Sequence, residues 1–347
     1  MGGHEVPSRS WGAARKGGER EARRTVQVVR TSAERDATRR ERRQPSAEPG
    51  SSPRKCSTLS GDPGNTAGRE PEASRGVRCA VVGHVEWIEF VSVEHVPRTG
   101  EIVSATESWG QAAGGGVVAA VQLAQLADSV LFFTALAADE LGRRAKAELA
   151  ERGVDVHASL VDVPQRKGFT FLDEAGERTI TTIGPKLGPR GHDDTLPWLE
   201  LARCEAVYFC AGDVDALLFA RRGRVLVATA RELATLRRGA VELDALVGSG
   251  KDESELYRPG DLEPEPRLAV TTSGALGGWA QPGGPFTAAP LPATPVDSYG
   301  AGDCFAAGLA FALAAGLDGS AALDFAARCG AGALAGPGVH AEAVPLP

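Results

Sequence analysis

The 347-residue sequence predicts an α/β fold, a three-layer α/β/α sandwich with a mostly parallel central sheet and a small β lid. Strand-like apolar runs alternate with helical runs from residue 77 to the C-terminus, a pattern typical of parallel strands covered by helices on both faces. Two stretches, near 84–115 and 167–184, interrupt this alternation and look like strands added for a separate purpose. They are the predicted lid segments of a single domain at 77–347.

The predicted elements follow from apolar periodicity, from β-branched residues and from the glycines that end each run. In chain order they are a strand at 77–91 broken at Gly83, an extended stretch at 101–116, a helix at 117–127, a strand at 129–137, a helix at 139–154, a hairpin at 167–184, strands at 206–212, 224–230 and 245–250, a strand and loop at 267–280, and a helix at 304–317.

Residues 1–76 differ from the rest of the chain in composition and charge. They hold 16 Lys and Arg against 10 Asp and Glu, whereas the remainder holds 22 against 35. With no sustained apolar period, this segment cannot bury enough surface to offset its chain entropy. We predict a disordered, dispensable basic extension, and a wrongly assigned start codon would account for its presence. A nucleic-acid-binding arm or a transit peptide is the less favoured alternative, and the acidic remainder predicts no nucleic-acid partner.

The cysteines and the apolar runs indicate the compartment. The six cysteines lie at 56, 79, 204, 210, 304 and 329 and form no C-x-x-C pair. They are typical of reduced thiols, and we expect Cys210 and Cys304 to be buried. The longest apolar run, 304–317, is too short to span a bilayer, and no secretory apolar region follows the N-terminus. We therefore predict a cytoplasmic protein that does not bind a membrane.

The stretch at 297–317 carries the most specific chemistry. Gly300, Ala301 and Gly302 precede Asp303, and an apolar helix follows. Backbone amides at such a helix N-terminus attract an anion, and a neighbouring carboxylate is costly unless it accepts a proton. Phosphoryl transfer to an alcohol uses both features, because the amides hold the moving phosphoryl group and the carboxylate receives the hydroxyl proton. The alternative is a glycine-rich helix start with a capping aspartate.

These residues also resemble a known family. "DSYGAGDCFAAGLA" at 297–310 is similar to the C-terminal signature of the ribokinase/PfkB carbohydrate kinases, with Ser298 for the usual Thr. Weaker similarities fall in the family's order along residues 77–347: "VVGHVEW" at 81–87, "PRTGE" at 97–101, "GGG" at 114–116, "TALAADELGRRAKAELAERGVDV" at 134–156 and "VTTSGALGGW" at 270–279.

The resemblance implies a ribokinase-like fold and an ATP- and Mg²⁺-dependent kinase acting on a small sugar or sugar-like substrate, with a lid that favours a homodimer. Asp303 would be the base, and the amides of Gly300, Ala301 and Gly302 would form the anion hole. The other candidates are Glu86, Gly114, Gly115 and Asp213 for the substrate, Thr272, Gly274 and Gly277 for the nucleotide, Glu253 for Mg²⁺ through water, and Asp297 for a monovalent cation such as K⁺.

Three positions depart from the family pattern. Ala119 replaces the usual sugar-binding Asn, Ile88 replaces the Asp that ends the first strand, and Gly250 replaces the Asn of the Asn-x-x-Glu motif. Each lost polar contact could remove about 1–3 kcal/mol of binding, so ordinary ribose recognition is not expected. Glu86 could replace one sugar contact; a surface carboxylate is the alternative.

Two other functions stay open, a catalytically weak ligand-binding relative and a nucleoside kinase in which Trp87 stacks on a base. A dinucleotide-dependent oxidoreductase is disfavoured because no G-x-G-x-x-G opens a βαβ unit. Lys167 and Arg98, in the lid, are left out of the site as solvated cations. For His84 a packed or exposed role is favoured over one in the pocket.

Overall fold

The computed structural model describes residues 76–174 and 178–347. The prediction for the N-terminal extension concerns residues 1–76, and all of these except residue 76 lie outside the described part. The strands are β1 (Arg78–Val82), β2 (Glu86–Ser92), β3 (Glu107–Ala113), β4 (Ser129–Ala137), β5 (Val154–Val161), β6 (Lys167–Leu172), β7 (Arg178–Ile183), β8 (Ala206–Phe209), β9 (Val225–Thr229), β10 (Ala245–Ser249), β11 (Ala269–Thr272), β12 (Gly278–Gln281) and β13 (Gly284–Phe286). The helices are α1 (Gly115–Ala124), α2 (Glu140–Glu151), α3 (Val214–Ala220), α4 (Leu233–Gly239), α5 (Ala301–Ala314) and α6 (Gly319–Gly332).

A nine-stranded sheet forms the centre, in the order β13-β12-β11-β10-β9-β8-β1-β4-β5. Every neighbouring pair from β11 to β5 is parallel, and the two antiparallel pairs, β11-β12 and β12-β13, lie at one edge. Parallel strands must be joined by crossovers, and the intervening helices supply them. The predicted mostly parallel sheet is confirmed.

Helices cover both faces of this sheet, as neighbouring residues of β1 demonstrate. Val81 packs in a cluster that includes α1, α5 and α6, whereas Val82 packs in a second cluster that includes α3 and α4. Successive side chains of a strand point to opposite faces, so the two clusters are the two covered sides of one sheet. The three-layer sandwich predicted from the alternating strands and helices is therefore confirmed.

A second sheet has four strands in the order β3-β2-β6-β7 and comes from the two stretches that interrupted the alternation. Its β6 and β7 pair antiparallel, which is the predicted hairpin. The strand register divides its side chains between two faces. The inner face carries Glu86, Ile88, Phe90, Thr170, Arg178, Ile180 and Thr182, and the outer face carries Trp87, Glu89, Lys167, Phe169 and Ile183.

Two predictions about the chain as a whole can be compared with the described residues. The cysteines there, at 79, 204, 210, 304 and 329, are all free and buried, as predicted for Cys210 and Cys304. Among the described residues, no helix combines the length and apolar character needed to cross a bilayer.

Candidate active site

The loops that leave the carboxyl ends of the parallel strands meet at one edge of the central sheet. In open α/β sheets this edge is where ligands bind. The residues gathered there are His84 and Glu86 after β1, Arg231 after β9, Asp252 and Glu255 after β10, and the turn of residues 273–277 after β11. The turn before α5 adds residues 300–303. Sequence-predicted candidates from the N-terminal part of the domain, such as Glu86, and from its C-terminal part, such as Asp303, therefore lie at the same edge.

The N-terminus of α5 presents its backbone to solvent. Gly300 caps the helix with φ of 79°, in the left-handed region, and a Cβ there would lie 2.8 Å from Val118. Only glycine fits both conditions. Gly302 is exposed, and a Cβ added to it would meet nothing within 4 Å. The amides of the first turn have no acceptor within the helix, and they are therefore available to an anion that approaches beside the exposed Gly302.

Asp303 lies in this first turn beside the start of α1. The hydroxyl of Tyr208 donates a hydrogen bond of 3.2 Å to its Oδ1. A Cβ added to Gly115 would be only 2.7 Å from the same oxygen. Burial raises the pKa of the Asp303 carboxyl above its usual value, while the Arg231 guanidinium and the Tyr208 hydrogen bond act in the opposite direction. A carboxylate with a raised pKa is a better proton acceptor than an ordinary aspartate.

The di-glycine turn joins Asp303 to Glu86. Gly114 caps α1 with φ of 94°, and its N–H donates a hydrogen bond of 2.9 Å to the Tyr299 hydroxyl. A Cβ on Gly114 would lie 3.2 Å from both the Glu86 Cγ and the His84 Nε2. Glu86, Gly114, Gly115 and Asp303 are therefore consecutive neighbours along one wall. The structure brings these sequence-predicted candidates together.

Glu86 is a buried carboxylate at the start of β2. Its Oε1 forms an ion pair of 2.7 Å with the Arg166 Nε and lies 3.8 Å from the His84 Nε2. Burial raises the pKa of Glu86, and the positive charges of Arg166 and Lys186 oppose this. The buried Nδ1 of His84 has no hydrogen-bond partner among the described residues. The His84 side chain is only 12% exposed, so it is packed, one of the two roles favoured from the sequence, and its Nε2 edge lies beside Glu86.

Two residues after the predicted Glu253, Glu255 is the more buried glutamate of the same turn. Glu253 is exposed on the outside of a single 3₁₀ turn at Glu253–Glu255. Glu255 is largely buried and ion-paired with Arg231, which also pairs with Asp252 at 3.0 Å. Burial raises the pKa of Glu255, Arg231 opposes this, and the charge of Asp303 adds to it. Spacing could have found the residue, because Asp252-x-x-Glu255 repeats the acceptor-x-x-Glu pattern two residues further on.

The turn that follows β11 has the backbone conformation expected of a phosphate-approaching loop. Gly274 and Gly277 have φ of 60° and 83°, and the Ser273 N–H donates a hydrogen bond of 2.8 Å to the Gly277 carbonyl. Thr272 ends the strand, and its hydroxyl donates to the Gly248 carbonyl at 3.2 Å. The Lys251 Nζ lies 3.2 Å from where a Gly274 Cβ would be. The three nucleotide candidates therefore line one turn.

Comparison with known proteins identifies the family. The family model for pfkB family carbohydrate kinases matches residues 78–235 and 239–345, nearly all of the described chain. The chain belongs to this family. A search of curated proteins found no significant match.

Solved structures with the same fold include three kinases. A protein from Agrobacterium tumefaciens assigned as a ribokinase has 21% identity and a TM-score of 0.64, covering 78% of this chain and 94% of its own. Arabidopsis thaliana ribokinase, solved with ribose and ATP, has 19% identity and a TM-score of 0.58, covering 77% and 96%. Phosphofructokinase-2 from Escherichia coli, solved with substrates and products, has 14% identity and a TM-score of 0.61, covering 77% and 96%. At these identities the likeness establishes the ribokinase-like fold.

In this pfkB-family chain, Asp213 and Trp87 make structural contacts that the sequence did not indicate. Asp213 caps α3: its Oδ1 accepts hydrogen bonds from the amides of Ala216 at 2.8 Å and Gly191 at 2.9 Å. Its role as a substrate contact stays a prediction. Trp87 is buried on the outer face, where the Arg144 guanidinium stacks 4.3 Å from its ring. It cannot stack on a base next to Glu86, because neighbouring strand residues point to opposite faces.

None of the three positions that depart from the family pattern has a polar side chain to offer to the site. Ile88 and Ala119 are fully buried, and neither offers a polar atom to a sugar hydroxyl. Gly250 packs near the Ser273 hydroxyl at the foot of the nucleotide turn. The polar side chains grouped around Glu86 are Arg166, Lys186 and His84.

Asp297 is a buried carboxylate at the start of the turn that leads to α5. Its Oδ1 accepts a hydrogen bond from the Tyr299 N–H at 2.8 Å, and its Oδ2 accepts one from the Gly338 N–H at 2.8 Å. Burial raises its pKa, and the two backbone hydrogen bonds and Arg178 oppose this. The carboxylate thus ties the start of the turn to the C-terminal segment.

Four cations around Asp303 were not found by sequence reasoning. Their charges act on Asp303, Glu86 or His84, yet they come from widely separated segments. They are Arg166, Arg178, Lys186 and Arg231. No spacing signal links them, since only the sheet topology brings these segments to one edge.

Proposed function

We propose that this chain is an ATP-dependent kinase that transfers the γ-phosphoryl group to a hydroxyl of a sugar or sugar-like molecule. The observation that carries the proposal is the position of Asp303, a partly buried carboxylate with a raised pKa, in the first turn of a helix whose leading amides have no acceptor within the helix and whose Gly302 is exposed. A base and an anion site side by side match the needs of phosphoryl transfer to an alcohol.

In this proposal each group has one task. Asp303 removes the proton of the attacking hydroxyl, and Glu86 with Gly114 and Gly115 orients the acceptor beside it. The amides of Gly300, Ala301 and Gly302 stabilise the negative charge that develops on the transferred group. Thr272, Gly274 and Gly277 hold the nucleotide. When bound, ATP supplies the phosphoryl group and Mg²⁺ neutralises the charge on its phosphates.

The donors near Asp303 suit Mg²⁺ held through phosphates and water. Among the described residues, no group of three or more acidic, His or Cys side chains is placed to hold a metal ion. Mg²⁺ in kinases needs only one or two carboxylates, because phosphate oxygens and water complete its shell. Glu255, partly buried and paired with Arg231, is the candidate for that contact, with Asp252 on the same arginine.

A monovalent cation is proposed next to Asp297. The carboxylate is buried and accepts hydrogen bonds from the N–H groups of Tyr299 and Gly338. Its oxygens have further lone pairs that could bind a cation. A bound K⁺ would offset the burial cost of this charge and brace the turn that leads to Gly300. Faster turnover in K⁺ than in an equal concentration of a bulky organic cation would support the assignment.

The four-stranded sheet is proposed as the lid of the site and as a dimer interface. Its inner face reaches the site through Glu86, while Phe169 and Ile183 on the outer face are 42% and 48% exposed. Pairing with a second lid would cover these apolar side chains. Sedimentation as a monomer at micromolar concentration would contradict the dimer.

The buried free cysteines fit the reducing cytoplasm, which we propose as the location of the protein.

The test is ADP release measured against a panel of sugars, sugar phosphates and nucleosides in the presence of Mg²⁺. Acceptor-dependent release with a sugar, abolished in Asp303→Asn, supports the proposal. Release only with nucleosides would favour the nucleoside kinase. Binding of a panel member without any ADP release would favour the weak ligand-binding relative, to which the buried Ile88 and Ala119 point.

A further inference from the structure

Arg178 links the four-stranded sheet to the turn that precedes the anion hole. It is the first residue of the edge strand β7, and its side chain is on the inner face. Its Nη1 donates a hydrogen bond of 2.7 Å to the Ser298 carbonyl oxygen and one of 3.1 Å to the Ser298 hydroxyl. Its guanidinium carbon lies 6.0 Å from the centre of the Tyr299 ring.

The turn held by Arg178 has other anchors. Asp297 fixes its beginning through the backbone amides of Tyr299 and Gly338, and the Tyr299 hydroxyl accepts from Gly114. The Tyr299 ring also meets Phe90 of the sheet edge-on, with ring centres 5.1 Å apart. At Ser298, two residues before the Gly300 cap, the Arg178 side chain of the four-stranded sheet forms hydrogen bonds with the turn.

The charge of Arg178 also reaches the site. It is among the causes that lower the pKa values of Asp303 and Asp297 against the effect of burial. Within the described part of the chain, its contacts are the Ser298 oxygens and the Tyr299 ring, and no carboxylate forms an ion pair with it. An arginine whose hydrogen bonds go to a backbone carbonyl and a hydroxyl near an anion site orients that backbone rather than neutralising an acid.

We propose that Arg178 is a positioning residue for phosphoryl transfer, which holds the 298–300 backbone so that the amides of residues 300–302 face the developing charge. This inference rests on the proposed kinase function. Preorganised amides stabilise a transition state without the cost of reorganising, and small displacements of such groups are expensive. Arg178 acts through Ser298 and does not contact the reacting atoms.

The experiment compares Arg178→Ala, Arg178→Lys and Ser298→Ala with the control Lys167→Ala. Lys167 is an exposed cation of the same sheet, on the outer face and outside the site. We expect Arg178→Ala to lower kcat by about 10- to 100-fold with KM values for ATP and acceptor within about 3-fold. Arg178→Lys should restore part of the loss, since it keeps a donor but not the planar fork.

A second readout does not depend on activity. Hydrogen exchange at the amides of Tyr299 and Cys304, which are hydrogen-bonded to the Asp297 Oδ1 and the Gly300 carbonyl, should be faster in Arg178→Ala than in the wild type, and unchanged in Lys167→Ala. Ser298→Ala should have a smaller effect, since the carbonyl acceptor remains. That effect should largely vanish in the Arg178→Ala background, because the two residues act as one contact.

The outcomes separate this inference from the kinase proposal. Unchanged kcat and unchanged exchange in Arg178→Ala would overturn the inference, and so would a loss confined to KM, which would make Arg178 a ligand-binding residue. If the wild type releases no ADP with any acceptor, the proposed function fails while exchange still decides the role of Arg178. Should Arg178→Ala fail to fold, Arg178→Lys and Ser298→Ala provide the same comparison.

Discussion

A Cβ atom added to Gly115 would lie 2.7 Å from the Oδ1 of Asp303, so the first residue of α1 and the first turn of α5 leave no room between them for a methyl group. Real Cβ contacts do not approach so closely. The absence of a side chain at Gly115 is therefore what allows the carboxylate of Asp303 to stand at the wall of the site.

Gly115→Ala tests this relationship. Alanine favours a helix more than glycine does, so the fold should persist while the methyl group displaces the Asp303 carboxylate. We expect kcat to fall by about 10-fold or more, with an unchanged melting temperature. Gly319→Ala is the matched control, since Gly319 also begins a helix and its Cβ would meet open space. Wild-type turnover in Gly115→Ala would mean that Asp303 is not held where the mechanism needs it.

The sequence predicted Asp303 because its evidence is local. A glycine-rich turn, a carboxylate and an apolar helix are contiguous, and local sequence determines where such a helix begins. Glu253 and Glu255 lie in one 3₁₀ turn and differ in burial, which depends on how that turn packs. Arg231 reaches the same place from another strand, and no pattern along the chain indicates that approach.

The position of Trp87, in contrast, can be predicted from the sequence. Glu86 and Trp87 are adjacent on one strand, so only one of them can face the pocket. Choosing Glu86 for the substrate already excluded Trp87 as a stacking platform. The structure places Trp87 under Arg144 on the outer face.

Glu86→Gln is expected to weaken acceptor binding. A neutral amide accepts hydroxyl hydrogen bonds less strongly than a carboxylate and leaves Arg166 without its ion pair. The KM for the acceptor should rise about 10-fold or more, with a smaller change in the KM for ATP. Glu89→Gln is the control from the outer face, where Glu89 accepts a hydrogen bond of 3.0 Å from the Trp87 indole. Equal effects of the two substitutions on acceptor KM would remove Glu86 from the substrate site.

Glu255→Gln and Glu253→Gln form a pair that decides which glutamate serves Mg²⁺. Glu255 is partly buried near Asp303, whereas Glu253 is exposed. The Mg²⁺ concentration giving half-maximal rate should rise about 10- to 100-fold in Glu255→Gln, as expected when a supporting carboxylate is lost. Glu253→Gln should behave as wild type. The reverse pattern would restore the prediction made from the sequence.

The raised pKa of Asp303 has a consequence for stability with a definite sign. The folded protein binds this proton more tightly than the unfolded chain, so stability falls as the pH rises from the ordinary aspartate value through the raised one. Asp303→Asn removes the buried charge, and its amide oxygen can still accept from Tyr208. Its melting temperature should exceed that of the wild type at neutral pH, and the gap should close near pH 3. A gap that does not change with pH would contradict burial as the cause.

Asp303→Asn also tests the chemistry itself. A general base acts mainly in the transition state, so kcat should fall about 10²- to 10⁴-fold with little change in KM for ATP or acceptor. In the wild type, kcat/KM should decline on acidification, with a midpoint above the ordinary aspartate pKa, because the protonated carboxyl cannot accept the hydroxyl proton. A capping role would give the opposite pattern, since Asp303→Ala would then lose stability and keep its turnover. Near wild-type turnover of Asp303→Asn on the true acceptor would refute the kinase mechanism, whatever the remaining residues bind.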